Sequence, residues 1–173
     1  MSLANPRTVD DLLNYRLNRL LAASGAMVIR LCEGRYGISR REWRLVAMLA
    51  VHGPLSPSAL AEHCHLERSR VSRYITDLVQ RQLLQRRPVP GDGRRAQVML
   101  TPAGASLYQQ LLPEAMHFNR EVLSALSLEE MALFESLLAK LTDKAERIAA
   151  SRPVAEKADR RNGGSRRVRP GQD

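Results

Sequence analysis

Aromatic residues make up only 4% of this 173-residue chain, and it has just two cysteines. Cys32 and Cys64 lack any patterned spacing, which excludes a disulfide-stapled scaffold. No apolar run approaches the roughly 18 residues that a membrane helix needs, so no membrane contact is expected. The opening MSLANPRTVDDLL is too polar for a secretory signal. A Walker phosphate loop, a His-Glu-x-x-His pair, paired Cys-x-x-Cys motifs and a Gly-x-Ser-x-Gly elbow are all missing. GDGRRA formally fits the Gly-x-Gly-x-x-Ala dinucleotide fingerprint, but that motif must open a helix, and here the extended run Ala96–Leu100 follows. His63, Cys64 and His65 are adjacent, and neighbours on a helix do not point at one ion. The expectation is a cytoplasmic protein that is not an enzyme and uses no cofactor or metal. Its hydrophobic fraction of 44% is ordinary for one domain with tails.

The charge is not evenly spread. The net charge is +9; residues 67–95 hold eight arginines against three acids, and residues 150–173 hold seven basic residues against three acids. The rest of the chain balances. A positive excess confined to one internal segment and one tail is the electrostatic footprint of a nucleic-acid binder.

Helical signals dominate. Leu13, Leu17, Leu20, Leu21, Met27, Val28 and Leu31 repeat at helical spacing, which predicts one long helix from about Val9 to Glu33. Ser39 and Glu42 have capping-box spacing ahead of a second helix that Gly53 stops. Ser56 with Pro57 opens a third, and a tight connection at His65-Leu66 leads into ERSRVSRYITDL. From Leu84 the period changes. Two extended runs, about 84–89 and 96–100, surround a Pro/Gly/Asp-rich loop and read as a hairpin. Thr101-Pro102 restarts a helix lined by Leu107, Leu111, Leu112, Phe118, Val122 and Leu126. Ser127 with Glu130 opens the last helix, which carries Met131, Phe134, Leu137, Leu138, Leu141 and Ile148. Residues 1–8 are expected to be flexible, and residues 150–173, without hydrophobic periodicity, a disordered basic tail.

On a helix of 100° per residue, Val71, Ile75 and Leu78 fall on one side and Ser69, Arg70, Ser72, Arg73 and Thr76 on the other. Guanidinium forks suit guanine edges and phosphates, and short hydroxyls suit a close backbone approach. Ala61 and Val71 have the spacing of the small and apolar residues that pack between the two helices of a helix-turn-helix. The hairpin follows directly, with Arg86, Arg87, Arg94 and Arg95 around its tip. A ribbon tipped with arginine beside a recognition helix is a wing, and such arginines enter narrow minor grooves. Asp92 is placed to orient Arg94. The fold class is therefore mainly α, a winged helix-turn-helix with its DNA-binding lobe at about 39–100.

Residues 10–149 resemble the MarR (multiple antibiotic resistance regulator) family of bacterial transcription factors. LAEHCHLERSRVSRYITDLVQRQLLQR is similar to that family's helix-turn-helix. DGRRAQVMLTPAG is similar to its wing, with Asp92 and Arg94 followed by the Leu-Thr-Pro-x-Gly restart at Leu100 to Gly104. The sequence departs from the pattern at His65 and Gln82, where glycine is usual, and at Gly93, where arginine is common. The resemblance implies one domain over 9–149 and a two-fold homodimer, held by long dimerisation helices at about 9–33 and 102–149. It also implies a pseudo-palindromic double-stranded operator and a repressor released by a small aromatic carboxylate or phenolic effector. The outer helices hold more apolar positions than a lone winged helix could cover, which agrees with a dimer.

For that effector, Arg16 and Arg19 project from neighbouring turns of the first helix beside Tyr15 and Asn18, with Trp43 and Met48 as aromatic and apolar contacts. The competing expectation is that these arginines pair with Glu114 or Glu121. Two other regulators remain open. One is a redox-responsive repressor of the same fold, in which Arg30 and Arg35 beside Cys32 lower its pKa. The other is an architectural or protein-binding winged helix with no effector.

Overall fold

The computed structural model describes residues 3–89, 92–151 and 154, without the side chains of 89 and 92–95. The disordered basic tail expected at 150–173 falls almost wholly outside these residues. The chain divides into two compact units, Met1–Val122 and Leu123–Asp173.

The first unit begins with a departure from the expected single helix. A 3-10 turn spans Val9–Asp11, Leu12 is extended, and α1 runs Leu13–Arg30 before loosening into a π turn at Leu31–Arg35. The break is local chemistry. Asp11 Oδ2 accepts from the backbone N–H of Arg7 and Thr8 and from the Thr8 hydroxyl at 3.1, 3.2 and 3.3 Å. A side chain that satisfies the preceding backbone competes with continuation of the helix. Residues Arg7 and Thr8, expected to be flexible, thus carry defined hydrogen bonds.

Helix α2 spans Arg40–His52. Ser39 and Glu42 form the expected reciprocal cap, at 2.7 and 3.2 Å, and Gly53 ends the helix at φ +72°. Helix α3 covers Pro57–His63 behind Ser56, and α4 covers Arg68–Gln80. Both α3 and α4 close with the same six-residue loop-back, Leu66 N–H to Ala61 O and Leu83 N–H to Leu78 O, at 3.0 and 2.9 Å. This closure needs a left-handed residue after the helix, a place that usually takes glycine. Here His65 (φ +50°) and Gln82 (φ +58°) occupy it, the same two positions at which the sequence lacks the usual glycine.

The wing pairs β1, Leu84–Val89, with β2, Asp92–Leu100, antiparallel. The second strand starts four residues before the expected Ala96. Pairing slips between Pro88 and Val89, where proline has no N–H to offer the ladder. Val98 also exchanges two backbone hydrogen bonds with Leu55, at 2.8 and 3.1 Å. That bridge ties the wing to the loop before α3, and no sequence period announces it.

Helix α5, Pro102–Leu123, is seated by Thr101, whose hydroxyl accepts from Gly104 N–H and donates to the Gln82 carbonyl at 2.6 Å. The core lies under these elements: Leu45, Val46 and Leu49 of α2, Leu60 and Cys64, Val71, Ile75 and Leu78 of α4, Leu84 and Val98 of the wing, and Leu111 of α5. Leu17, Leu20, Leu21 and Met27 of α1 remain exposed. In the second unit, α6 spans Leu128–Ser151 behind the expected Ser127/Glu130 cap, and Leu133, Phe134, Leu137, Leu141 and Ile148 are exposed along it.

Candidate nucleic-acid interface

The expected two-sidedness of α4 is present. Val71, Ile75 and Leu78 are 0% exposed, whereas Ser69, Arg70, Ser72, Arg73 and Thr76 are all exposed. Burial of three such side chains, each contributing roughly 1.5–3 kcal/mol, fixes the rotation of the helix about its axis. It therefore fixes which side chains face outward.

The structure sorts the arginines in a way the sequence did not. Arg68, at the start of α4, is bound to Glu62 of α3 at 3.0 Å, and Arg81, just after it, lies 3.7 Å from Glu42 of α2. Arg44 of α2 donates to the Cys64 carbonyl at 3.0 Å and so holds the turn between α3 and α4. These three brace the helix-turn-helix. Among the described residues Arg70 and Arg73 have no ion pair, so their guanidinium donors are uncommitted. Arg86 of β1 reaches back to α4 and donates to the Thr76 hydroxyl at 3.2 Å, while that hydroxyl donates to the Ser72 carbonyl at 3.1 Å. The side chains of Asp92, Arg94 and Arg95 lie outside the described residues; their backbone belongs to β2.

The effector candidates are less tightly grouped. Tyr15, Asn18 and Arg19 are exposed. Arg16 is half-buried, 3.7 Å from Asp11 Oδ1, and donates to the Asp10 carbonyl at 3.4 Å. Asp11 is buried, and its hydrogen bonds from the Arg7 and Thr8 backbone hold its carboxyl below the usual range, with Arg16 adding to the effect. Trp43 stacks on Tyr108 of α5, ring centroids 5.6 Å apart at 22°, and Met48 is half-buried against the core. A groove of about 490 Å³ beside the end of α1 is lined instead by Met27, Arg30, Arg35, Glu114 and Phe118, among others. Glu114 is not the partner of Arg16 or Arg19: Arg35 binds it at 2.6 Å and the Tyr36 hydroxyl at 3.2 Å.

The expected lowering of the Cys32 pKa is corrected. Cys32 is 0% exposed, and burial pushes its thiol up to about 11, reinforced by Glu33 and only partly opposed by Arg40. Arg30 and Arg35 are its sequence neighbours but not the charges that act on it. Burial likewise raises Cys64 to about 11. Removing water penalises the thiolate more than a partly solvated guanidinium favours it.

A family model described as the MarR family matches residues 36–95, the span from the end of the π turn to the wing. The chain is 30% identical over 104 residues to the HTH-type transcriptional regulator FarR of Neisseria gonorrhoeae, covering 60% of this chain and 71% of FarR. Matched stretches span between 60% and 72% of the lengths of four curated relatives. A crystal structure of a probable transcriptional regulator from Pseudomonas aeruginosa is similar with a TM-score of 0.66 and 31% identity, over 78% of this chain and 99% of that one. The crystal structure of NadR in complex with 4-hydroxyphenylacetate is similar with a TM-score of 0.66 and 26% identity, over 79% of this chain and 96% of NadR.

Proposed function

The chain belongs to the MarR family of transcriptional regulators, and on that premise we propose that it is a homodimeric, sequence-specific repressor whose α4 reads a pseudo-palindromic operator. The observation that carries this reading is the exposed face of α4. Two arginines uncommitted among the described residues, Arg70 and Arg73, stand beside short hydroxyls on a helix whose other face is locked in the core. In the major groove a guanidinium reads guanine bidentately. Ser69 and Ser72 allow a close approach, Arg86 supplies a phosphate contact from β1, and Arg94, which Asp92 would orient, reaches the minor groove from the wing together with Arg95. The exposed apolar residues of α1 and of α6 supply the material for an interface between two copies. Two α4 helices related by a two-fold axis read half-sites about one DNA turn apart.

The test is a footprint over DNA selected by the purified protein, followed by affinities for Arg70→Ala and Arg73→Ala. Each lost base contact should weaken specific binding by about 1–3 kcal/mol. If both variants bind the operator like wild type, α4 does not read it.

The release signal in this reading is a small aromatic acid or phenol, the class to which the NadR ligand belongs. Arg19 is exposed, and Arg16 could exchange Asp11 for a ligand carboxylate beside Tyr15 and Asn18, with Trp43 and Met48 against the ring. The ligand would act by favouring a spacing of the two recognition helices that no longer fits successive major grooves. Titration of aromatic acids against the operator complex, with Arg16→Ala and Arg19→Ala alongside, tests it. Equal release from both variants and wild type would place the site elsewhere.

A further inference from the structure

We propose that Thr76 reads a thymine through its methyl group, and that Arg86 is the positioning residue that holds the methyl in place. The inference rests on the reading of α4 as the helix that enters the major groove.

A hydroxyl has one proton and two lone pairs. The Thr76 proton is given to the Ser72 carbonyl one turn back, at 3.1 Å, and Arg86 Nη2 takes a lone pair at 3.2 Å. The side chain therefore has no proton left for a phosphate or for a base acceptor. Threonine is branched at Cβ and stiff about χ1. With Oγ1 turned back along the helix and clasped from the wing, the branch left for the exposed surface is the methyl. Thr76 lies three residues after Arg73 and seven after Ser69, on the same exposed stripe. An apolar group presented among guanidinium forks has one complement on the major-groove edges of the bases, the C5-methyl of thymine. Arg86 has five N–H donors, so a bond to Thr76 leaves others for a phosphate. The same side chain can then anchor the DNA backbone and orient the reader. It also joins the wing to α4, so the two parts of the surface are held together by the group that would contact the phosphate between them.

The experiment uses the full-length protein and an operator selected from random DNA. Each thymine is replaced in turn by deoxyuridine, which lacks only the C5-methyl. Wild type should lose about fourfold in affinity per half-site at one symmetry-related pair of thymines, the worth of one buried methyl group. There, Thr76→Ser should bind thymine and uracil operators alike, while Thr76→Val should retain the preference for thymine. Arg86→Ala should shrink the thymine-to-uracil ratio as well as lower affinity; a residue that only binds phosphate would lower both affinities equally and leave the ratio unchanged. The proposal is overturned if no thymine replacement weakens wild type. It is equally overturned if Thr76→Ser keeps the discrimination or Thr76→Val abolishes it. An unchanged ratio in Arg86→Ala removes Arg86 from the positioning role. A protein that selects no DNA sequence at all overturns the assignment of α4 itself, and an operator bound specifically without this coupling overturns the thymine reading alone.

Discussion

Gly104 in the first turn of α5 is the position where one methyl group should do most damage. The residue is buried, and an added Cβ would stand 2.1 Å from the Leu83 carbonyl oxygen, 3.1 Å from its carbon and 3.3 Å from Leu100 Cδ2. Real Cβ atoms stay beyond 3.0 Å, so helix and carbonyl must separate by about 0.9 Å. The carbonyl cannot simply step aside. It accepts from Thr101 N–H at 3.1 Å, the Thr101 hydroxyl that donates to the Gln82 carbonyl lies 3.2 Å away, and the preceding peptide closes α4. Losing that N–H hydrogen bond costs roughly 1 kcal/mol, and overpacking strain adds about 1–3 kcal/mol. Alanine in a helix returns about 1 kcal/mol. Gly104→Ala should therefore destabilise the fold by about 1–3 kcal/mol. In urea unfolding followed by circular dichroism at fixed protein concentration, with an m-value of about 2 kcal/mol/M, the midpoint should fall by about 0.5–1.5 M. Gly34→Ala is the internal control. A Cβ there meets nothing within 4 Å, and the variant should be as stable as wild type or up to about 1 kcal/mol more so. If Gly104→Ala is neutral or stabilising, the close approach of α5 to Leu83 is wrong.

Gln82→Gly should raise the urea midpoint, because relief of a left-handed residue at φ +58°, worth about 1–2 kcal/mol, exceeds the entropy cost of glycine, about 0.5–1 kcal/mol; a lowered midpoint would show that Gln82 is held by something more than its backbone. Cys32 and Cys64, both raised to about 11, favour the fold while neutral. Their contribution is complete below the ordinary thiol pKa and is lost as pH rises through about 9 to 11, so stability should drop across that window in wild type and less in Cys32→Ala/Cys64→Ala, measured against each protein's own value at pH 8. Asp11, with a lowered carboxyl pKa, works in the opposite direction: the ordering of the segment before α1 is present above about pH 4 and is lost on acidification, which amide exchange at Thr8 should report; Asp11→Asn, which keeps an acceptor oxygen, should remove the pH dependence, and Asp11→Ala should abolish the ordering at all pH. Deleting residues 152–173 removes seven basic residues and should flatten the fall of log K against log salt by about 0.9 for each phosphate they neutralise, with operator preference retained; an unchanged slope would mean that these residues do not touch DNA.

The features legible in the sequence were those made by neighbours along the chain. Ser39 with Glu42, Ser56 with Pro57, Thr101 with Pro102 and Ser127 with Glu130 each mark a helix start within four residues, and each operates in the structure. The break at Leu12 was readable in principle, since Thr8 and Asp11 have capping spacing, but the leucine period running through it is the stronger pattern. The Leu55–Val98 bridge carries no such signal: it is one residue paired across more than forty, with its hydrogen bonds made by backbone alone.

Sequence alone determined that one face of α4 would be apolar and the other cationic, because helical period and side-chain chemistry are both local. It also placed the positive excess at 67–95, since charge does not depend on folding. Only the tertiary structure decided which arginines are free to act. Arg68, Arg81 and Arg35 are bound by Glu62, Glu42 and Glu114, and Arg70 and Arg73 are not among the described ion pairs, though nothing in their immediate sequence tells them apart. The same holds for Cys32, where the adjacent Arg30 and Arg35 suggested a lowered thiol pKa and burial raises it instead. An ion pair or a desolvation penalty is set by distance and solvent in three dimensions, and neither is written in the order of residues along the chain.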